Sequence, residues 1–312
     1  MFKFKHAFLA ILVQLPLLVF GFTTTSEVIG NLPLDQNPNL STFFPQNLKH
    51  VSEVLISRPE YVLSFNSETR LLNWAAWKLE ASDIGHIGRS NKFIADADLQ
   101  NYLNKFNKQA ILPSDYFESC FDRGHQVPSA DRDITVEINQ ITFFMSNMIP
   151  QTASLNRYVW AHLESFTRDL VVNQNKKVYI IAGPIFDEDF GKIGPNKDIP
   201  VPSKNFKMLV VLEKDQTLKD INLETKIISV IMPNVLRSGE RPLDNKTQLC
   251  EESKFAPKPP SPPSPAPSAP IVTPEPHPLN DDWKKFEVPI SEIERLSGFK
   301  IVPDNQPIEN LK

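Results

Sequence analysis

The stretch FDRGHQVPSADR, residues 121–132, sets an imidazole, His125, close behind a guanidinium, Arg123, with only Gly124 between them. A neutral imidazole accepts a proton near neutral pH, and a planar guanidinium contacts two phosphate oxygens at once. Such a pair suits an anionic substrate. A second set of chemically capable residues falls in 155–173 (LNRYVWAHLESFTRDLVVN), where Val159, Leu163, Phe166 and Leu170 mark the apolar face of an amphipathic helix. Asn156, Trp160, Glu164 and Arg168 recur every fourth residue, a separate stripe about 18 Å long at the helical rise. An amide, a carboxylate and a guanidinium thus share one ridge. Alone, the ridge is equally what a solvated helix face would show, with an i,i+4 Glu–Arg pair worth roughly a few tenths of a kcal/mol.

The elements that must hold these groups are of both kinds. Runs rich in aromatic and β-branched residues predict strands at 61–66, 141–147, 178–186, 207–213 and 226–232. Helices are predicted at 70–80, 155–173 and 290–297. With 312 residues, 41% of them hydrophobic, the chain has ample material for a packed core. Residues 257–278 stand apart, because 11 of the 28 prolines lie there. That composition predicts an extended, disordered, partly polyproline II segment. Only 34 residues follow it, too few for an independent domain without staples.

At the N-terminus, Lys3 and Lys5 precede an uncharged apolar run, 7–22, broken by Gln14 and Pro16. A membrane span needs about 20 apolar residues and an export signal only about 7 to 15. Residues 1–21 therefore read as a signal peptide cleaved near Gly21, implying a secreted or periplasmic protein with no stable membrane association. Export would leave the two cysteines, Cys120 and Cys250, free to form one disulfide, with two buried thiols as the alternative. The formal charge of −4, or −6 once Lys3 and Lys5 leave, argues against a basic coat for nonspecific nucleic-acid binding and leaves room for a local basic site. No HExxH, paired CxxC, GxSxG or Gly-rich phosphate loop occurs, so zinc peptidase, serine hydrolase and nucleotide-cofactor readings lack support.

The ordered set Asp122-Arg123-Gly124-His125, Thr142-Phe-Phe-Met-Ser-Asn147-Met-Ile-Pro-Gln151 and Leu155-Asn156, with Glu164 and Arg168 downstream, resembles the DNA/RNA non-specific endonucleases of the ββα-metal type. Further matches are Phe65-Asn66 to Trp74, as an early strand and the helix after it, Ile181-Ala-Gly-Pro184, and Val201-Pro202-Ser203. The segment from Phe286 to Gly298 resembles the family's C-terminal helix, with Ser291 and Glu294 at capping-box spacing and Gly298 as its stop. The resemblance covers about 60–303, which makes 257–278 an insertion within one domain of residues 22–312. It implies an α+β fold, a mixed, mainly antiparallel central sheet flanked by helices, carrying a ββα-metal active-site motif.

It also implies Mg²⁺-dependent hydrolysis of phosphodiester bonds in DNA and RNA, leaving 5′-phosphate and 3′-OH ends. His125 would be the general base. Asn156 would hold Mg²⁺, or Mn²⁺ in its place, because magnesium keeps most of its waters and needs few protein oxygens. Glu164 would order water around the metal, with Asn147 as a hydrogen-bonding support. Arg123 and Arg168, with Arg89 as a third candidate, would clamp phosphate. Asp122 reads as a local carboxylate of the hairpin or a second metal ligand, and His162 as structural. Two other classes stay open: a catalytically silent nucleic-acid-binding module on the same fold, and an interaction protein whose PxxP spacings engage an unknown partner. A homodimer is one assembly open to the chain.

Overall fold

The computed structural model describes residues 27–40, 45–255 and 281–302. The expected signal peptide, 1–21, and proline-rich insertion, 257–278, lie outside these residues. In chain order the first strands are β1 Glu27–Gly30, β2 Gln46–Asn47, β3 Val54–Ser57, β4 Val62–Asn66 and β5 Leu71–Leu79. Then come β6 Asp122–His125, β7 Met148–Gln151, β8 Lys176–Ile185, β9 Lys192–Ile193 and β10 Ile199–Pro200. The last are β11 Lys204–Glu213, β12 Lys226–Pro233 and β13 Phe299–Lys300. Seven of these build one sheet in the order β1-β3-β4-β5-β8-β11-β12. Only β1 and β3 run parallel in it, so the sheet is mixed and mainly antiparallel. The α-helices are α1 Ala97–Leu103, α2 Val136–Ile141, α3 Trp160–Val172, α4 Lys246–Phe255 and α5 Ile290–Ser297.

Alternation along β11 defines the two faces. Leu209 and Val211 enter one core with Leu163 and Leu170 of α3, whereas Phe206, Met208, Val210 and Leu212 enter a second core with Ile290 and Ile293 of α5. The first face also carries the separate β6–β7 pair, in which Asp122 opposes Gln151 and His125 opposes Met148. Trp283 joins this first core, with its ring 4.9 Å from that of Phe166. Phe299 packs in the second core, and β13 pairs with β2. Residues beyond the proline-rich tract therefore contribute to both sides of the sheet.

Three sequence expectations are corrected. Residues 70–80 form strand β5 rather than a helix, because LLNWAAWKL is a central strand covered on both faces and shows no polar alternation. Residues 141–147 are the end of α2 and a turn, not a strand. There the Thr142 hydroxyl donates to the Asn139 carbonyl, and the Asn147 amide donates to Thr142 O, closing the chain on itself. The capping box at Ser291 and Glu294 is absent: Pro289 is the N-cap, and Glu294 instead accepts from the backbone N–H groups of Ile301 and Val302 at 2.8 and 3.0 Å. Gly298, at φ 79°, does end α5 in the left-handed conformation.

Candidate active site

His125 closes β6 with its side chain almost wholly enclosed, 7% exposed. Phe143 and Phe93 meet the imidazole edge-on, with ring centroids 4.8 and 5.7 Å away. A hydrogen bond to the Arg123 backbone engages the ring, and Nε2 is buried without a protein partner. Burial holds the imidazole well below its ordinary pKa, reinforced by the charges of Arg89 and Arg123 and opposed by the backbone hydrogen bond. The ring is therefore neutral at pH 7, with Nε2 free to take a proton.

The same two phenylalanines seat the guanidinium groups. Arg123 lies 4.0 Å from the Phe93 ring centroid, and Arg89 lies 5.0 Å from that of Phe143. Arg89 donates to Ser129 and Asn91, neither of which neutralises it. Burial lowers the Arg89 pKa, the carboxylates of Glu164 and Asp122 oppose that, and Arg123 adds to it. Arg89, the third candidate on sequence grounds, thus sits within electrostatic reach of His125, Arg123, Asp122 and Glu164.

Asn147 is fully buried and works on the loop behind His125. Its amide oxygen accepts from Val127 N–H, and its amide nitrogen donates to the carbonyls of Val127 and Thr142, all at 2.9 Å. It lies in the turn just before β7, at the mouth of the β6–β7 pair.

Asn156 enters from a π-helical turn, Leu155–Val159, that leads into α3. Such widened turns admit an extra residue and re-aim side chains. Its amide nitrogen donates to Asp122 Oδ2 at 2.8 Å, and the same carboxylate takes two hydrogen bonds from Arg157 at 2.7 and 2.6 Å. Asp122 is thereby committed to positioning, and the Asn156 amide oxygen is left as the available ligand atom. Among the described residues no group of three or more His, Cys, Asp or Glu side chains could hold a metal ion. A single amide oxygen fits only a strongly hydrated hard cation, which needs few protein ligands.

Farther along the ridge, Trp160 is buried and Glu164 turns inward, its side chain 15% exposed. Burial raises the Glu164 pKa against the opposing charges of Lys207 and Arg168. Arg168 makes its ion pair with Asp131, at 3.1 Å, and not with Glu164. The ridge is an inward face, not a solvated one. The Cys120–Cys250 disulfide ties the chain two residues before β6 to α4.

The profile of the DNA/RNA non-specific endonuclease family matches residues 39–306. The chain belongs to that family. Over 254 residues it is 33% identical to a nuclease of Nostoc sp. (strain PCC 7120), covering 81% of this chain and 74% of the relative. Over 262 residues it is 28% identical to human mitochondrial endonuclease G, covering 80% and 70%. A crystal structure of an EndoG/EndoGI complex shares the fold, with a TM-score of 0.55 at 21% identity over 81% of this chain and 88% of that one.

In this member of the non-specific endonuclease family, four supporting residues escaped the sequence reading. Arg157 holds Asp122, and Asp131 holds Arg168 while accepting a 3.0 Å bond from Trp77 Nε1. Lys207 lies 3.5 Å from Glu164. Gln151 is wholly buried, and both polar atoms of its side chain lack partners. Arg157 and Asp131 lie inside the two stretches that drew attention, but nothing local marks their partners. Among the described residues no helix is long and apolar enough to cross a membrane.

Proposed function

We propose that this chain is a Mg²⁺-dependent, sugar-nonspecific endonuclease that hydrolyses phosphodiester bonds in DNA and RNA. The observation that carries the reading is His125: a buried, neutral imidazole with an unpartnered Nε2, flanked by two guanidinium groups that make no carboxylate ion pair among the described residues. Nε2 takes a proton from water as the water oxygen bonds to phosphorus and the P–O3′ bond breaks, which leaves 5′-phosphate and 3′-OH ends. Arg89 and Arg123 face the charge that gathers on the phosphate oxygens in the transition state. Arg168, whose charge Asp131 balances, offers a third guanidinium to phosphate on the Glu164 side. Asn156 presents its amide oxygen to Mg²⁺, or to Mn²⁺ in its place, and Glu164 orders the surrounding water. A cation bound there supplies Lewis-acid stabilisation of the departing oxygen.

Two accompanying proposals concern the chain as a whole. Residues 1–21 are an export signal, which places the mature enzyme outside the cytoplasm or in a periplasm. Residues 22–312 form one domain, interrupted by 257–278, a reading supported by the family match on both sides of that tract. The test is incubation of the purified protein with plasmid DNA and with RNA, with Mg²⁺ or with chelator. Cleavage of both substrates in Mg²⁺ and none in chelator is expected. Absence of cleavage with any divalent metal would overturn the nuclease reading.

A further inference from the structure

Lys207 lies in the middle of β11, in a row across the sheet that runs Leu63, Ala75, Ala182, Lys207, Val230. Ala75 and Ala182 of this row share one core with Trp77 and Trp160. Its ammonium sits 4.0 Å from the Trp160 ring centroid and 5.8 Å from that of Trp77, with its side chain 2% exposed. Glu164 Oε1, at 3.5 Å, is the carboxylate it faces. Around it, Glu164 and Asp131 balance Lys207 and Arg168, so the four charges sum to zero. Burying a lysine is costly, and an apolar side chain of similar volume would fill the same space without that cost. Sheet packing therefore does not account for a charge at this position.

We propose that Lys207 is a positioning residue for Glu164, holding its carboxylate in working position and charge state from the floor of the sheet. The proposal rests on the nuclease reading, in which Glu164 orders water at the site. The groups facing Glu164 are Lys207 from β11, Arg168 from α3, Asp131 from the segment after β6 and Arg89 from the loop before α1. Without Lys207 the carboxylate keeps the burial that favours its protonated form and loses its nearest counter-charge. Glu164 would then protonate at higher pH, and its hold on water would loosen.

The test compares Lys207→Met, Lys207→Arg, Glu164→Gln and the double variant Lys207→Met/Glu164→Gln, measuring kcat and KM on plasmid DNA across pH, with melting temperatures. Lys207→Met should lower kcat about 10- to 100-fold, leave KM within about twofold, and move the acid limb of the kcat profile up by about one to two pH units. Lys207→Arg should restore much of both. In the Glu164→Gln background, Lys207→Met should cause no further loss of kcat. A normal kcat and unmoved acid limb in Lys207→Met, or losses that multiply in the double variant, would overturn the proposal. If Lys207→Met fails to fold while the double variant folds, the lone buried carboxylate is at fault and the proposal stands. If both fail to fold, Lys207 is a structural residue and the proposal falls. Urea unfolding reads the coupling without cleavage, because the stability advantage of wild type over Lys207→Met should shrink as pH falls and Glu164 takes up its proton. Should wild type cut nothing, that result counts against the nuclease reading, and the unfolding data still decide the coupling.

Discussion

His125 is kept neutral by enclosure between Phe93 and Phe143 and by two nearby guanidinium groups, with no carboxylate partner among the described residues to raise its pKa. Because its folded-state pKa is depressed, the neutral ring contributes stability that is fully present above the unfolded value of about 6.5 and is lost as pH falls through the folded pKa. Cleavage should therefore hold from pH 8 down past 6.5 and decline only on the acid side, where His125 and Glu164 both take up protons, and a pH–rate profile with its acid limb above 6.5 would contradict this. His125→Ala should reduce kcat about 10²- to 10⁴-fold with the fold retained, as circular dichroism and nucleic-acid binding would register. Asp122 works through its neighbours. Asp122→Ala removes the carboxylate that holds the Asn156 amide and takes two hydrogen bonds from Arg157, so it should weaken apparent Mg²⁺ affinity about 10- to 100-fold, less than Asn156→Ala and without the loss of the ligand itself. Metal titrations of the two variants against wild type decide the order.

At the scale of elements, the β6–β7 pair depends on Gly124. A Cβ there would overlap the Gln151 side-chain amide, which is wholly buried. Gly124→Ala should thus cost about 1 to 3 kcal/mol by overpacking and displace Gln151. Melting curves should show the loss, and Gly124→Ala/Gln151→Ala should recover most of it. The same elements show what a sequence discloses. His125, Arg123, Asn156 and Glu164 were legible because each stands in a short ordered string of unusual polar residues, and α3 because its apolar spacing is regular. Strand β5 was misread because Leu71 to Leu79 is covered on both faces and its central Ala75 and Ala76 favour helix. Lys207 was illegible for a different reason. A lysine at the head of KMLVVLE looks like the solvated start of a strand, and only the register of β11 against β8 puts it under Glu164.

At the scale of the whole molecule, the segment after the proline-rich tract belongs to the core. Trp283, Ile290, Ile293 and Phe299 are each at most 5% exposed, and burial of such side chains contributes about 1.5 to 3 kcal/mol apiece. Their sum is comparable with a domain's net stability of about 5 to 15 kcal/mol. Truncation after Ala256 should therefore give unstable or insoluble protein. Replacing 257–278 with a short Gly/Ser linker should leave cleavage and melting temperature near wild type, because loop-closure cost changes only by about 0.6 kcal/mol per doubling of length. A soluble, active truncation would show that the C-terminal segment is a separate appendage.

The Cys120–Cys250 bond has a topological consequence. Both of its ends lie N-terminal to the tract, so the covalent loop of the molecule closes before Ala256, and the described residues 281–302 are joined to the rest without a disulfide, through packing, the β13–β2 pairing and side-chain contacts such as His162–Asp282. A single backbone cut between 256 and 280 would therefore leave one particle in native solution and two polypeptides in detergent, with or without reductant. Such a cut protein would refold as a bimolecular reaction, at a rate set by the concentration of the two pieces. The intact chain, in contrast, carries its own C-terminal piece at a fixed effective concentration.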